Sequence, residues 1–350
     1  MEFSKNICIN EHSRIPKYRQ IVDAVIYNIT SGKINPYEKI PSISFFSEEF
    51  YLSRDTVERA YKVLKDRKII SSIKGKGFYV MPTPTDSVSK TNILFLINKF
   101  SSYKMIMYNA FMQSIGSNVN VDLQVYHCDE SLFLNIVDRF KSSYDYYVIM
   151  PHFKTEDLKH ISYTQSVVDA IKTIPSEKLI LVDNNMMNLG SGITEIYQDF
   201  ENDIYNGLIA GYDKIIRYKN IILVYPEKSV YPFPKRILHG FRKFCVEFNI
   251  DFQIISEIRE DMVLEKNDLF ITLVESDLIN LMNLIRVNKY SLGKDVGVIS
   301  FNDDPLKDLL GISVFSSDFI FMGQKTAELI LNRTQEKVKV PFYFIDRNSI

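Results

Sequence analysis

Between residues 93 and 301 the chain carries eight short apolar runs separated by stretches of helical period, and this alternation limits the fold more than any other feature. The runs fall at 93–97, 121–126, 146–150 and 179–182, then at 221–225, 252–255, 269–274 and 296–301. Runs that stay apolar throughout suit strands buried on both faces. Parallel strands with helices on each side are the arrangement that buries them so, which predicts an α/β fold. Two sets of four predict two lobes.

Ahead of this region, residues 82–90 are polar, hold Pro82 and Pro84, and show no hydrophobic period, so they read as a linker. At 350 residues the chain is long enough for more than one core. The division predicted is 1–81, a linker at 82–90, and 91–350. In the first part Tyr18, Ile21, Val22, Val25, Ile26 and Ile29 recur at three- and four-residue steps between Pro16 and Ser31-Gly32, which predicts a helix. A second is expected over 42–49 behind an N-cap at Ser42. A third follows Ser53 and puts Val57, Ala60, Tyr61 and Leu64 on one stripe. Residues 69–73 and 78–80 flank Lys74-Gly75-Lys76-Gly77 and read as a hairpin, so the unit is expected to be a winged helix-turn-helix.

The charge fits that expectation. The whole chain is close to neutral, at −1, yet residues 1–81 hold 14 Lys and Arg against 9 Asp and Glu. A basic amino-terminal unit points to a polyanion. In a helix-turn-helix the second helix enters the major groove, and residues near its start reach base edges while others hold phosphates. Candidate DNA contacts are Ser42, Ser44, Ser53, Arg54, Thr56, Arg59, Lys74, Lys76 and Gly77, with Lys62 in reach of the backbone. Arg54 can fork onto a guanine, Ser53 and Thr56 can donate to phosphate, and the wing glycines admit close approach. Singly, Ser53 is equally a cap, Arg54 a solvated charge and the glycine-lysine run a turn. Their order favours DNA.

Across 15–80 the chain resembles the GntR family of bacterial regulators, through Ile15-Pro16-Lys17-Tyr18, Ile40-Pro41-Ser42, Leu52-Ser53-Arg54-Asp55-Thr56-Val57 and Gly75-Lys76-Gly77-Phe78-Tyr79-Val80. In that family an arginine that contacts DNA commonly stands where this chain has Ser44, and Tyr37 replaces the usual glycine after Pro36. Residues 90–350 resemble the sensor domain of LacI-type repressors and sugar-binding periplasmic proteins. The matches include Lys178-Leu179-Ile180-Leu181-Val182-Asp183, Leu292-Gly293-Lys294-Asp295-Val296-Gly297, Ser300-Phe301-Asn302-Asp303 and the closing 340–349. The two together are similar to the arabinose-type repressors, which implies a homodimer on double-stranded operator DNA and a monosaccharide effector. An activator of the same build is the alternative, and an enzyme of carbohydrate metabolism with an appended winged helix is a remoter one.

In open α/β sheets ligands meet the loops that leave the carboxyl ends of strands. Asn98, His152, Asp183, Asn184, Tyr225, Glu275, Asn302 and Asp303 stand on such loops, with Lys235 or Arg236 completing the second lobe. The resemblance also implies an aspartate for the ligand at the start of the helix that leads into the second lobe, where Asp199 and Asp203 compete for the alignment and Asp199 is the one taken into the set. Amides and carboxylates suit a ligand rich in hydroxyls, and aromatic rings suit its apolar face. No GxGxxG, GxxxxGK[ST], HExxH or GxSxG is present, and His12, His127, His152, His160 and His239 show neither triad nor metal spacing. No enzyme, metal or cofactor is therefore expected. Cys8, Cys128 and Cys245 are scattered and odd in number, and no apolar run nears the ~20 residues of a membrane span. A reducing cytoplasm with no membrane partner follows.

Overall fold

The computed structural model describes residues 9–10, 13, 15–35, 37–73, 75–81, 90–184, 189 and 192–350. Lys74, Cys8, His12 and residues 82–89 of the expected linker lie outside the described residues. Contacts between Cα atoms divide the chain into two units, Met1–Ser89 and Lys90–Ile350.

The first unit runs α1 (Lys17–Thr30), β1 (Lys39–Ile40), α2 (Ile43–Glu49), α3 (Arg54–Asp66), β2 (Ile70–Ile73) and β3 (Gly77–Val80). Strands β2 and β3 form the expected antiparallel hairpin. A third strand, β1, pairs with β3 through Lys39–Tyr79 and Ile40–Phe78. Two residues are too few to show a period, so β1 is invisible in the sequence. Both short helices start from serine caps. Ser42 Oγ accepts from the Phe45 amide at 3.2 Å and Ser53 Oγ from the Thr56 amide at 3.3 Å, which satisfies amides left open in the first turn. Ile21, Val25, Phe46, Val57, Ala60 and Leu64 are fully buried. Tyr61 joins them and donates to the Pro41 carbonyl at 2.8 Å, and burial pushes its phenol pKa up.

The second unit begins β4 (Thr91–Ile97), α4 (Ser102–Ile115), β5 (Val119–Val125), α5 (Glu130–Phe140) and β6 (Tyr146–Ile149). A small antiparallel pair, β7 (Phe153–Lys154) and β8 (His160–Ile161), precedes α6 (Gln165–Lys172), β9 (Leu179–Asn184) and β10 (Thr194–Gln198). Then come α7 (Phe200–Ala210), α8 (Tyr212–Ile215), β11 (Asn220–Val224), α9 (Arg236–Glu247), β12 (Phe252–Ile255), β13 (Asp268–Thr272) and α10 (Glu275–Val287). The chain closes with β14 (Val296–Phe301), α11 (Pro305–Leu309), β15 (Ser313–Ser317), α12 (Phe319–Asn332), β16 (Lys337–Lys339) and β17 (Phe342–Ile345).

Two six-stranded sheets result, ordered β16-β10-β9-β6-β4-β5 and β12-β11-β13-β14-β15-β17. Every pair in the first is parallel. In the second only β15 and β17 are antiparallel. Each sheet is covered on both faces, one by the clusters around Phe95 and Leu96, the other by those around Leu223 and Val224. The architecture is thus α/β and two-lobed, and the four apolar runs of each set do share a sheet. The chain passes between sheets three times, after β10, β15 and β16, so α12 returns to pack on α4 while α7 packs on α9. Asp199 is the N-cap of α7, at the first of these passages.

Candidate functional site

Strands β4, β6 and β9 run side by side, and residues at and just beyond their carboxyl ends build a buried polar floor. Asn98, His152 and Asp183 are each at most 5 % exposed. Asp183 is its hub. His152 Nε2 lies 3.0 Å from Asp183 Oδ2, Lys104 Nζ lies 3.7 Å from the same oxygen, and the Gln198 amide donates to Oδ1. Lys104 also donates to Asn98 Oδ1, and the Ser317 hydroxyl donates to Gln198 Oε1 at 2.5 Å.

Burial alone would raise the Asp183 pKa. His152, Lys104 and Gln198 reverse that and hold it near about 2, so the floor carries a carboxylate. A carboxylate only accepts, so His152 Nε2 bears the proton and its Nδ1, 2.9 Å from His160 Nε2, must accept from His160. Both rings are then neutral, in keeping with burial, which lowers the pKa of each, that of His160 to about 3. Lys104 is lowered to about 8, again mainly by burial. Asp183 at φ 81° and Asn302 at φ 61° adopt a backbone conformation that side chains disfavour by roughly 1–2 kcal/mol, and such residues gather at ligand sites.

Above the floor is a cavity that opens to solvent. Lys99, Tyr103 and Phe200 line it with the floor, and Phe233, Ile237, Phe301, Asn302 and Phe342 face it from the second lobe. Its mouth carries Ser102, Tyr231, Glu275, Asp303 and Lys307. The lobes touch across it. Ser102 Oγ donates to Glu275 Oε1 at 3.0 Å, Tyr231 Oη and His127 Nδ1 are 3.0 Å apart, and the Ser229 amide donates to the Leu158 carbonyl at 3.0 Å.

Of the eleven residues expected at the ligand, the structure brings Asn98, His152, Asp183 and Asn302 to the cavity, and Glu275 and Asp303 to its mouth. Five stand apart from it. Asn184 donates to the Pro151 carbonyl at 3.0 Å, and Tyr225 donates to the Phe233 carbonyl at 2.7 Å. Asp199 and Arg236 form an ion pair at 2.8 Å, and Lys235 is exposed at the start of α9. Asp303 is itself held by a forked pair of bonds from Arg347, at 2.8 and 2.7 Å. Lys99, Lys104 and His160 were not in the expected set. Only Lys99, two residues after a strand that ends at 97, had a positional signal.

In the first unit Ser42, Ser44, Ser53, Arg54, Arg59, Lys62 and Lys76 are exposed, Thr56 and Gly77 are half-buried, and Lys74 lies outside the described residues. Arg54 opens α3 and reaches Glu58 Oε1 at 3.3 Å, in a pair too exposed to immobilise it. The Ser53 and Thr56 hydroxyls bond each other at 2.7 Å, and Arg59 stacks on the Tyr18 ring at 4.1 Å. Gly75 and Gly77 take φ of 78° and 109°, the left-handed turn expected of the wing tip.

Among the described residues no group of three or more His, Cys, Asp or Glu is placed to hold a metal ion, and no helix is long and apolar enough to cross a membrane. Residues 17–80 match the family model "Bacterial regulatory proteins, gntR family". The chain is 40% identical over 65 residues to the mannosyl-D-glycerate transport/metabolism system repressor of Escherichia coli, which covers 19% of this chain and 27% of that protein. It is 33% identical over 90 residues to the arabinose metabolism transcriptional repressor of Geobacillus stearothermophilus, 25% of each chain. The chain therefore matches only about a quarter of these relatives' length. Among solved structures, a LacI family transcriptional regulator from Silicibacter pomeroyi superposes with a TM-score of 0.60 at 13% identity, over 74% of this chain and 98% of that one. The trehalose repressor from Escherichia coli gives 0.56 at 13% identity, over 73% and 100%. Residues 17–80 are a gntR-family helix-turn-helix domain, and behind it stands a unit with the two-lobed fold of LacI-type regulators and periplasmic binding proteins.

Proposed function

We propose that this protein is an effector-controlled transcription repressor, whose first unit grips duplex operator DNA and whose second binds a small polar ligand of the monosaccharide class between its lobes. The observation that carries the reading is the cavity between two lobes, floored by Asn98, His152 and Asp183, in a chain that opens with a gntR-family domain. That these relatives are named as repressors of sugar systems supports the sign of regulation and the ligand class. The protein acts as a cytoplasmic homodimer on a two-fold operator. It binds its ligand without turning it over, because the Asp183–His152 pair leads on to His160 and not to a nucleophile. Effector binding releases DNA, which by linkage requires tighter binding of effector to the DNA-free form.

The test is operator binding by fluorescence anisotropy, with the promoter fragment of the protein's own gene against random duplexes. Arg54→Ala should weaken specific binding by about 1–3 kcal/mol while leaving binding to random duplexes nearly unchanged. Equal affinity of the wild type for both DNAs, with and without candidate sugars, would reject the proposal.

A further inference from the structure

Helix α2 ends in a turn of the kind that glycine makes most easily. Phe50 is its C-cap, the Leu52 amide donates back to the Ser47 carbonyl at 3.0 Å, and the residue between Phe50 and Leu52, Tyr51, takes φ 50°. Many helices close in this way, and the left-handed residue the closure needs is usually glycine, because a Cβ there crowds the following carbonyl oxygen. Here the position holds a tyrosine whose side chain is 93 % exposed. Among the described residues its ring and hydroxyl make no hydrogen bond, ring contact or ion pair. The fold therefore carries a strained turn and a bare aromatic ring, and gains no internal contact from either.

The place of Tyr51 in the unit tells where such a ring is useful. It stands two residues ahead of Ser53, the N-cap of α3, and so at the edge of the surface that Ser53 and Arg54 present, all three being exposed. The start of α3 is the part that a helix-turn-helix puts into the major groove. A second tyrosine supplies the contrast. Tyr37 is also left-handed, at φ 65°, and 71 % exposed, but its amide donates to the Val80 carbonyl, at the end of β3 farther from the wing tip.

We infer that Tyr51 is a direct operator contact, its ring laid against the duplex beside the start of α3 and its hydroxyl available to a phosphate oxygen. The inference rests on the repressor reading above and adds a residue to its DNA face. Tyrosine suits the rim of a groove, since the ring can cover a thymine methyl while the hydroxyl donates to phosphate. Glycine in its place would make an easier turn and leave that part of the duplex uncovered, so the turn gives up stability for contact.

The experiment is fluorescence anisotropy on the full chain, with the promoter fragment of its own gene and with random duplexes, alongside calorimetric melting. Tyr51→Gly should weaken binding to the promoter fragment about tenfold, while the melting temperature stays at or above that of the wild type because the turn is relieved. Tyr37→Gly relieves a turn of the same hand and should leave DNA binding unchanged. In Tyr51→Phe, affinity retained puts the contact in the ring, and affinity lost as in Tyr51→Gly puts it in the bond from hydroxyl to phosphate. A promoter affinity unchanged in Tyr51→Gly, a loss that comes with a lower melting temperature, or an equal loss in Tyr37→Gly overturns the inference, and a wild type that still prefers its promoter fragment leaves the repressor reading standing. A wild type that binds both DNAs equally rejects that reading, and Tyr51 then stands or falls on whether Tyr51→Gly weakens binding to random duplexes.

Discussion

A histidine kept neutral in a closed polar floor makes the second unit sensitive to acid. His160 titrates near about 3, chiefly because it is buried and also because the His152 ring lies beside it, whereas a histidine in an unfolded chain titrates near 6.5. Between those values the unfolded state takes up a proton that the folded state refuses. Stability therefore falls as pH drops, by about 1.4 kcal/mol per pH unit for one such group. Asp183 works in the same direction lower down. It is held at about 2 against about 3.9 when unfolded, so its contribution is complete above pH 4 and is lost as pH falls toward 2. Urea unfolding of the full chain at pH 7.5 and 5.0 should show a loss of about 2 kcal/mol from His160, with a further loss from His152, whose pKa burial also lowers, and His160→Phe should remove only the His160 share. A wild-type stability equal at both pH values would mean that His160 protonates in the folded protein.

At the scale of elements, the two lobes depend on two helix pairs brought very close by glycine. In α9 a Cβ built on Gly240 would lie 2.0 Å from the Glu201 carbonyl oxygen of α7, and in α12 one on Gly323 would lie 2.2 Å from the Met107 carbonyl oxygen of α4. Both neighbours are backbone, so neither helix can yield by turning a side chain. Gly240→Ala should cost about 3 kcal/mol and lower the melting temperature by roughly 6–12 °C; an unchanged melting temperature would show that α9 can slide on α7. No periodicity announces these contacts, since a glycine inside a helix looks like a defect until its neighbour is known. The strands divide in the same way. Most of the eight apolar runs were legible because a strand buried on both faces must be apolar throughout, whereas the runs of the edge strands β5 and β12 are interrupted by Asp122, Gln124 and Gln253. Strands β10 and β15 escaped notice because Glu195, Gln198, Ser316 and Ser317 break their apolar pattern. The site was legible to the extent that it follows strand ends, which gave Asn98, His152, Asp183 and Asn302. Lys104 and His160 were not, because one is a lysine buried in a helix and the other arrives on a two-residue strand.

For the whole second unit, the three passages between sheets leave the lobes free to hinge, and the few polar contacts across the cavity set how firmly they close. The Ser102–Glu275 and His127–Tyr231 contacts each join side chains of opposite lobes at 3.0 Å. A ligand in the cavity shifts the population toward the form with these contacts only by its preference for it, and the contacts add to that preference. Ser102→Ala with Tyr231→Phe removes both hydroxyls and keeps the aromatic ring over Lys99. At about 1 kcal/mol for each bond, the double variant should need roughly 10- to 30-fold more effector to release operator, with affinity for operator in the absence of effector unchanged. An anisotropy titration with the candidate sugar that releases operator most readily reads both quantities at once. A release midpoint that stays in place would show that closure draws its stability from the ligand alone.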